Sequence, residues 1–362
     1  MDTTDPLIQF DESGICNHCQ QYDIVSARFV PTGEIARSQL EKNIAEIKEA
    51  GKGKKYDCVI GISGGVDSTF TAYKVVQLGL RPLAVHLDNG WNSELAVKNI
   101  EHVLKKLKVD LYTHVIDWEE FKDLQVAFLK ASTPDAEIPS DHAIVSINYS
   151  IAKRNRIKYV VLGCNYRTET HLPLAWSQGH ADWKYINGIH KKFGNVPLKT
   201  FPRRNLFSYY FDSISIKRFD ILNYVDYNKK QAMETLKNDL GWKYYGGKHY
   251  ESIYTRFYQG YILPKKFGFD KRRAHLSSLI CSGEISRDDA LVELKEDTYP
   301  IALQNEDKEY VQKKFGITSE DFSRIMDTPP KTYWDYSSYG QMRKTILYKF
   351  IKRFFNAANE KN

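Results

Sequence analysis

The chain has 362 residues, 42% hydrophobic and 27% charged, which is ordinary for a soluble globular protein and enough for one large or two moderate domains. Its net charge of +7 fits an acidic partner but does not choose among ATP, a nucleotide-sugar, RNA or an anionic membrane surface. No apolar run approaches a membrane span, residues 1–6 do not read as a secretion signal, and five cysteines argue against a disulfide framework and for a reducing cytoplasm.

Three regions follow in chain order: 1–50, 51–210 and 211–362. The first holds Cys16-x-x-Cys19 and a helix expected over 35–50. A flexible basic linker, 51–55, leads into alternating strands and helices. Strands are expected at 56–62, 82–87, 111–116 and 158–162. Helices are expected at 69–76, 93–107 with Ser93 as N-cap, 118–130 and 141–155. The alternation predicts an α/β fold with a doubly wound, mostly parallel sheet. Ligands of such sheets sit at the carboxyl ends of the strands, here 63–68, 86–90 and 163–165. The third region reads as mainly helical. Asn228 with Gln231 and Ser286 with Asp289 resemble capping boxes, and Pro329-Pro330 ends a helix that starts near Ser319. At the end, Met342, Ile346, Leu347, Phe350, Ile351 and Phe354 form an apolar stripe beside Arg343, Lys344, Lys349, Lys352 and Arg353. It reads as a helix docked on the body or a partner, with peripheral membrane contact as the other reading.

Ser63-Gly64-Gly65-Val66-Asp67-Ser68 falls between the first strand and its helix. That geometry aims backbone N–H groups at a phosphate. Gly64 and Gly65 let the backbone approach the anion, Ser63 and Ser68 add hydroxyl donors, and Asp67 can hold a magnesium ion. The Walker A lysine is absent. The stretch resembles the SGGxDS signature of the PP-loop ATP pyrophosphatases, which cut ATP between the α and β phosphates and put AMP on a substrate oxygen. An ordinary βα turn is the bland alternative. Asp88, Gly163 and Asn165, at the other strand ends, are expected to contact the nucleotide. Glu169 is expected to hold magnesium or steer an attacking amine. Cys164 invites a sulfur-transfer reading, against that of a small inert thiol.

Further on, Lys248, His249 and Glu251 lie at the N-terminal end of a helix expected over 253–259, where Arg256 and Gln259 share a face. Lys265, Lys266, Lys271, Arg272 and Arg273 then place five cations in nine residues, which suits a triphosphate or else marks a generic basic loop. The run from Gly241-Trp242 through Gly247-Lys248-His249, then Phe267-Gly268-Phe269-Asp270-Lys271-Arg272 and Arg273-Ala274-His275-Leu276-Ser277, resembles the N-acetyl sugar amidotransferase family. These are the WbpG- and PseA-like enzymes of bacterial surface-polysaccharide and sialic-acid-like sugar pathways. Residues 10–19 are similar too, so the resemblance covers nearly the whole chain.

The resemblance implies a PP-loop domain, ATP as cosubstrate, and conversion of an acetamido to an acetamidino group on a sugar, probably nucleotide-linked. Under it, Ser63 to Ser68 hold the pyrophosphate, and Lys265, Lys271 and Arg272 add counter-charge. His249 and Glu251 perform acid–base work or position the sugar, together with Lys248, Arg256 and Gln259. No glutaminase domain is visible, so ammonia is expected from a separate glutaminase, in a pair similar to the subunits of imidazole glycerol phosphate synthase. Nucleic acid is not an expected partner. Cys16 and Cys19 supply two of the four ligands that structural zinc wants. The family carries its second Cys-x-x-Cys just upstream of a stretch like Met1 to Pro6, where this sequence starts, so zinc is left open. Two rivals stand: a tRNA thiolase using Cys164, and a nucleotide-binding interaction protein without catalysis.

Overall fold

The computed structural model describes residues 1–247 and 250–343. One sheet holds five strands: β1 (Cys58–Gly61), β2 (Pro82–Asp88), β3 (Asp110–Val115), β4 (Tyr159–Leu162) and β5 (Lys217–Asp220). Their order is β3-β2-β1-β4-β5, and every neighbouring pair is parallel. The sheet is the expected doubly wound one. Its helices are α2 (Gly33–Ala50), α3 (Val66–Gln77), α4 (Glu94–Leu107), α5 (Trp118–Ala131), α6 (Ile138–Arg154) and α7 (Tyr166–Glu169), behind an N-terminal α1 (Asn17–Phe29).

The period-two alternation of a strand sends successive side chains to opposite faces. Val59, Leu83, Val85 and Val160 face Ile147 and Ile151 of α6. Cys58, Ile60, Ala84 and Val161 face Ile47 of α2, Val75 of α3 and Val103 of α4. A third core lies in the helical body, where Phe121 and Phe128 of α5 meet Tyr254, Phe257, Val311 and Phe322. The β5 strand was hidden in the sequence because Lys217-Arg218-Phe219-Asp220 is mostly charged. An edge strand tolerates that charge, and only Phe219 of the four is buried.

Helix ends follow the expected chemistry. The Ser93 hydroxyl accepts from the Ala96 N–H at 3.2 Å, and Asn228 Oδ1 accepts from the Gln231 N–H at 3.0 Å. Thr318 and Asp321 form a full capping box, and that helix, Ser319–Asp327, stops before Pro329. The expected helix over 253–259 is shorter: Ile253–Phe257 is α-helical and then widens into a π-helix, Tyr258–Phe267. Widening changes which side chains face inward. Met342 and Arg343 close a short helix, Tyr339–Arg343, while the stripe from 344 onward lies outside the described residues. Among the described residues no helix is long and apolar enough to cross a membrane.

Ile60 is fully buried at the sheet centre. Truncating it to alanine removes packed methylenes and leaves a cavity, so Ile60→Ala is expected to cost about 2–5 kcal/mol. Urea unfolding monitored by circular dichroism measures this, and a loss well under 1 kcal/mol would contradict the packing described.

Candidate active site

From β1 the chain proceeds to β2 and β3 on one side, and from β4 to β5 on the other. The crossovers therefore diverge between β1 and β4, and the crevice beyond their carboxyl ends is where such sheets take ligands. The 63–68 loop leaves β1 and the 163–165 turn leaves β4, so both border that crevice. A cavity of about 470 Å³ lies there, lined among others by Ser63, Gly65, Asp67, Ser68, Gly163 and Glu251.

The loop is shaped from several sides. Gly64 has φ +82°, and a Cβ there would lie 2.7 Å from the Ala96 carbonyl oxygen, so only glycine fits without strain. Buried Trp242 donates its Nε1–H to the Gly64 carbonyl at 3.0 Å. The Ser68 hydroxyl accepts from the Ser63 N–H at 3.2 Å, and the two hydroxyls lie 3.1 Å apart. Gly65 is the N-cap residue of α3 and has no side chain to cap it, so the helix N-terminus, the positive end of its dipole, opens on the cavity. Asp67 sits in the first turn and accepts a hydrogen bond from the Tyr227 hydroxyl on Oδ1. Burial and the Asp67 charge push the Tyr227 pKa up, so it remains a donor at neutral pH. Gly163 is held to a bare backbone because a Cβ would lie 2.9 Å from the Asp67 carbonyl.

Glu251 reaches the site because its strand-like segment is zipped to the loop after β2. Ser93 N–H donates to the Glu251 carbonyl at 2.8 Å, and Ile253 N–H to the Trp91 carbonyl at 2.9 Å. Its Oε1 then lies 3.5 Å from where a Cβ of Gly65 would stand. A second cavity, about 730 Å³, adjoins the first. The two share Glu169, Tyr244, Gly247, Thr255, Gln259 and Lys271 as walls.

The partition carries a group that the sequence reading missed. Glu137 Oε2 accepts from Gln259 Nε2 at 2.6 Å and lies 3.8 Å from Lys271 Nζ. Burial, with Asp135 and Asp141 nearby, pushes its pKa up to about 7, against the pull of Lys271. Burial alone would lower the Lys271 pKa, but Glu137, Asp135 and Asp141 more than offset it and the net shift is upward. The signal lay in Asp135-Ala136-Glu137-Ile138-Pro139-Ser140-Asp141, three acids packed around a helix start.

Several expected site residues go elsewhere. Asp88 does not line the cavity; its Oδ1 accepts from the Gly90 N–H at 2.9 Å and forms its own turn. Asn165 is buried as the N-cap of α7, with Oδ1 accepting from the Thr168 N–H at 2.9 Å. Lys265 is exposed on the π-helix and lines neither cavity. Its neighbour Lys266 donates to the Met326 and Thr328 carbonyls at 3.2 and 2.7 Å and so caps another helix. Arg272 borders the second cavity, but its fork is engaged by Asp270 at 2.7 Å and by the Glu293 and Glu296 carbonyls. Arg256 borders the second cavity too, in a bidentate pair with buried Asp307 at 2.7 and 2.8 Å. Lys271 is thus the member of the basic run that lines the first cavity. Lys248 and His249 lie outside the described residues. Cys16 and Cys19 line neither cavity.

Cys164 lines the first cavity and is exposed. Desolvation of its sulfur within the cleft, with the Glu169 charge, pushes its pKa up to about 12. It is a thiol at neutral pH, a weak nucleophile. The described lining carries five carboxylates, Asp67, Glu137, Asp141, Glu169 and Glu251, against two lysines, Lys229 and Lys271. A polyanion entering such a cleft is favoured by a divalent cation that reverses the local sign.

Two family models match. Residues 251–353 match the one described as "LPS biosynthesis protein WbpG-like, C-terminal domain", and residues 39–194 match "NAD synthase". The chain joins a PP-loop domain to a WbpG-like C-terminal domain. This WbpG-like match begins at Glu251, the residue set over the glycine loop. No curated protein matches significantly. Among solved structures, the NMN synthetase of Francisella tularensis is 15% identical, with a TM-score of 0.37, over 70% of this chain and 95% of that one. An NH3-dependent NAD synthetase from Campylobacter jejuni, solved with nitrate, is 16% identical, with a TM-score of 0.33, over 78% of this chain and 97% of that one. The paired family matches support an ATP-using ligase or amidotransferase.

The raised Glu137 pKa makes a pH prediction. The folded chain holds a proton there that the unfolded chain gives up near 4.5. This contribution to stability is complete below that value and is lost as the pH rises through about 7. Between pH 5 and 8 the urea midpoint of the wild type is expected to fall more than that of Glu137→Gln. Parallel profiles would refute the assignment.

Proposed function

We propose that this WbpG-like chain is an ATP-dependent amidotransferase that converts the N-acetyl group of a sugar, nucleotide-linked, into an acetamidino group. The observation that carries this reading is the adjoining pair of cavities, one opening on the glycine loop and the N-terminus of α3, and both walled by Glu169, Gln259 and Lys271. A nucleoside triphosphate in the first is directed toward an acceptor in the second. The match to an LPS biosynthesis model supports an acceptor from bacterial surface-polysaccharide or sialic-acid-like sugar synthesis.

The chemistry needs two activations. An amide carbonyl is a poor electrophile, and its oxygen leaves poorly. In the proposed reaction the amide oxygen attacks the α-phosphorus, pyrophosphate departs, and the oxygen becomes part of an imidate–AMP. Ammonia then adds to the imidate carbon, AMP leaves with the oxygen, and an amidine remains. Ser63, Ser68 and the start of α3 would hold the departing pyrophosphate. Magnesium, when bound, supplies charge neutralisation of the phosphates, and Asp67 would hold it, since magnesium commonly takes one or two carboxylates plus phosphate oxygens. Lys271 lies where the cavities meet and would stabilise the charge that develops there. Glu169 and Glu251 would position the acceptor or move a proton from the amine. Ammonia would come from a separate glutaminase, and ATP as cosubstrate puts the enzyme in the cytoplasm.

The test is mass spectrometry of candidate UDP- and CMP-linked acetamido sugars incubated with ATP, magnesium and an ammonium salt. The product is expected to be lighter by about one mass unit, as exchange of O for NH requires. Sulfur insertion would make it heavier and would favour a thiolase. Pyrophosphate release that ignores the sugar would sink the amidotransferase reading. Asp67→Ala is expected to abolish turnover in a chain that still folds, with a melting temperature lowered somewhat by loss of the Tyr227 hydrogen bond. Lys271→Ala is expected to slow it on the order of 10²–10³-fold, whereas Cys164→Ser retains activity. Pyrophosphate release assays measure all three.

A further inference from the structure

Three distant segments bring soft donor atoms together beside α7. Cys16 precedes α1 and Cys19 lies in its first turn; His171 follows α7; Cys281 ends the helix Arg272–Cys281. The Cys16 and Cys19 sulfurs are 3.5 Å apart, and His171 Nε2 lies 3.7 Å from the Cys281 sulfur. Donor atoms of Cys19, His171 and Cys281 all lie within 4.8 Å of one another. A tetrahedral zinc ion with Zn–S near 2.3 Å and Zn–N near 2.0–2.1 Å sets its ligand atoms roughly 3.5–3.8 Å apart. The Cys16–Cys19 and His171–Cys281 spacings match edges of such a tetrahedron, Cys19, His171 and Cys281 form the compact core of the cluster, and Cys16 joins it through Cys19, so that a bound ion would draw the four donors together.

The imidazole is oriented for the task. Ser278 Oγ donates to the Ala274 carbonyl at 3.2 Å, which leaves its oxygen to accept from His171. With this arrangement His171 Nδ1, 3.0 Å from that oxygen, is the protonated nitrogen, and Nε2 faces the Cys281 sulfur as a ligand atom. A hydrogen bond of this kind on the non-ligating nitrogen is the usual support of a metal-bound histidine. Tyr22 stacks on the same ring at 5.5 Å and closes the site on another side. His18, inside the Cys-x-x-Cys, is not available: its Nε2 pairs with buried Asp5 at 2.6 Å.

We propose that Cys16, Cys19, His171 and Cys281 form a structural zinc site with three sulfur ligands and one nitrogen. The set is complete within the described chain. The zinc pins α1 against α7 and the helix Arg272–Cys281, and these last two carry Glu169 and, at the N-cap, Lys271, the shared walls of the cavities. It is therefore a brace behind the site, outside the chemistry. Zinc binding releases the thiol protons of the three cysteines and requires no redox partner.

The test uses the full chain purified under reducing conditions. Elemental analysis is expected to find one zinc per chain retained through gel filtration, and X-ray absorption to find three sulfurs and one nitrogen around it. Cys281→Ser and His171→Ala are each expected to lose most of the metal, while Cys58→Ser, altered within the sheet, keeps it. Cobalt loaded in place of zinc is expected to show thiolate-to-metal charge-transfer bands in the wild type and lose them in Cys281→Ser. The assignment is overturned if the wild type stays metal-free after incubation with zinc, or if absorption shows two sulfurs. Full zinc retention in both Cys281→Ser and His171→Ala would overturn the ligand set, and a Cys16–Cys19 disulfide in the reduced preparation would overturn the site.

Discussion

The architecture depends on one turn that only a residue without a side chain can make. At Gly64 the chain must leave β1, pass under the Ala96 carbonyl in a left-handed conformation, and start α3 within two residues. That bend aims the helix start into the crevice between β1 and β4. The Ser63–Ser68 hydrogen bonds fasten it locally, and the rest of its support comes from far away in the chain. Trp242, from far along the chain, secures the Gly64 carbonyl, and Tyr227 engages Asp67. The glycine loop is a product of the whole fold, although its residues are contiguous.

Charge placement follows from the same economy of space. A basic run of five cations looks like a phosphate clamp, yet most of it neutralises something else. Lys266 satisfies carbonyls at a helix end, and Arg272 ties a loop to its own helix. Buried carbonyl groups without partners are expensive, and long cationic side chains are well suited to satisfy them. What remains at the cleft is Lys271, poised against Glu137. In a cleft with more carboxylates than cations, a phosphate would rest largely on backbone and hydroxyl donors and a divalent cation, which accords with the absence of a Walker lysine.

Much of this was legible in the sequence, for physical reasons that differ by residue. Strands buried on both faces announce themselves as continuous apolar runs, and β1, β2 and β4 were found that way. Ser93 and Asn228 were legible because a capping side chain acts within three residues. The glycine loop was legible because its residues are contiguous. Asp88 and Asn165 were read as ligands of the nucleotide because a polar residue after a strand can serve a ligand as easily as its own turn or cap; in the fold their carboxyl and amide oxygens make a turn and a cap. Lys265 was singled out because it belongs to a run of five cations, and a charge run does not say which of its members face a cleft; in the fold it lines neither cavity. Glu137 and His171 were missed because their partners, Gln259 and Cys281, are more than a hundred residues away. β5 was missed because edge strands need not be apolar.

The short antiparallel bridge between Asn92 and Ser252 joins the nucleotide half to the WbpG-like half at the lip of the cleft. It has an evolutionary corollary. Recombination that exchanges one half for a homologue's breaks a backbone seam, because main-chain bonds demand matched register on both edges. New specificities in such proteins should therefore arise by drift within the second half more readily than by shuffling, and a functional chimera needs its junction drawn so that residues 89–93 travel with the half they clasp.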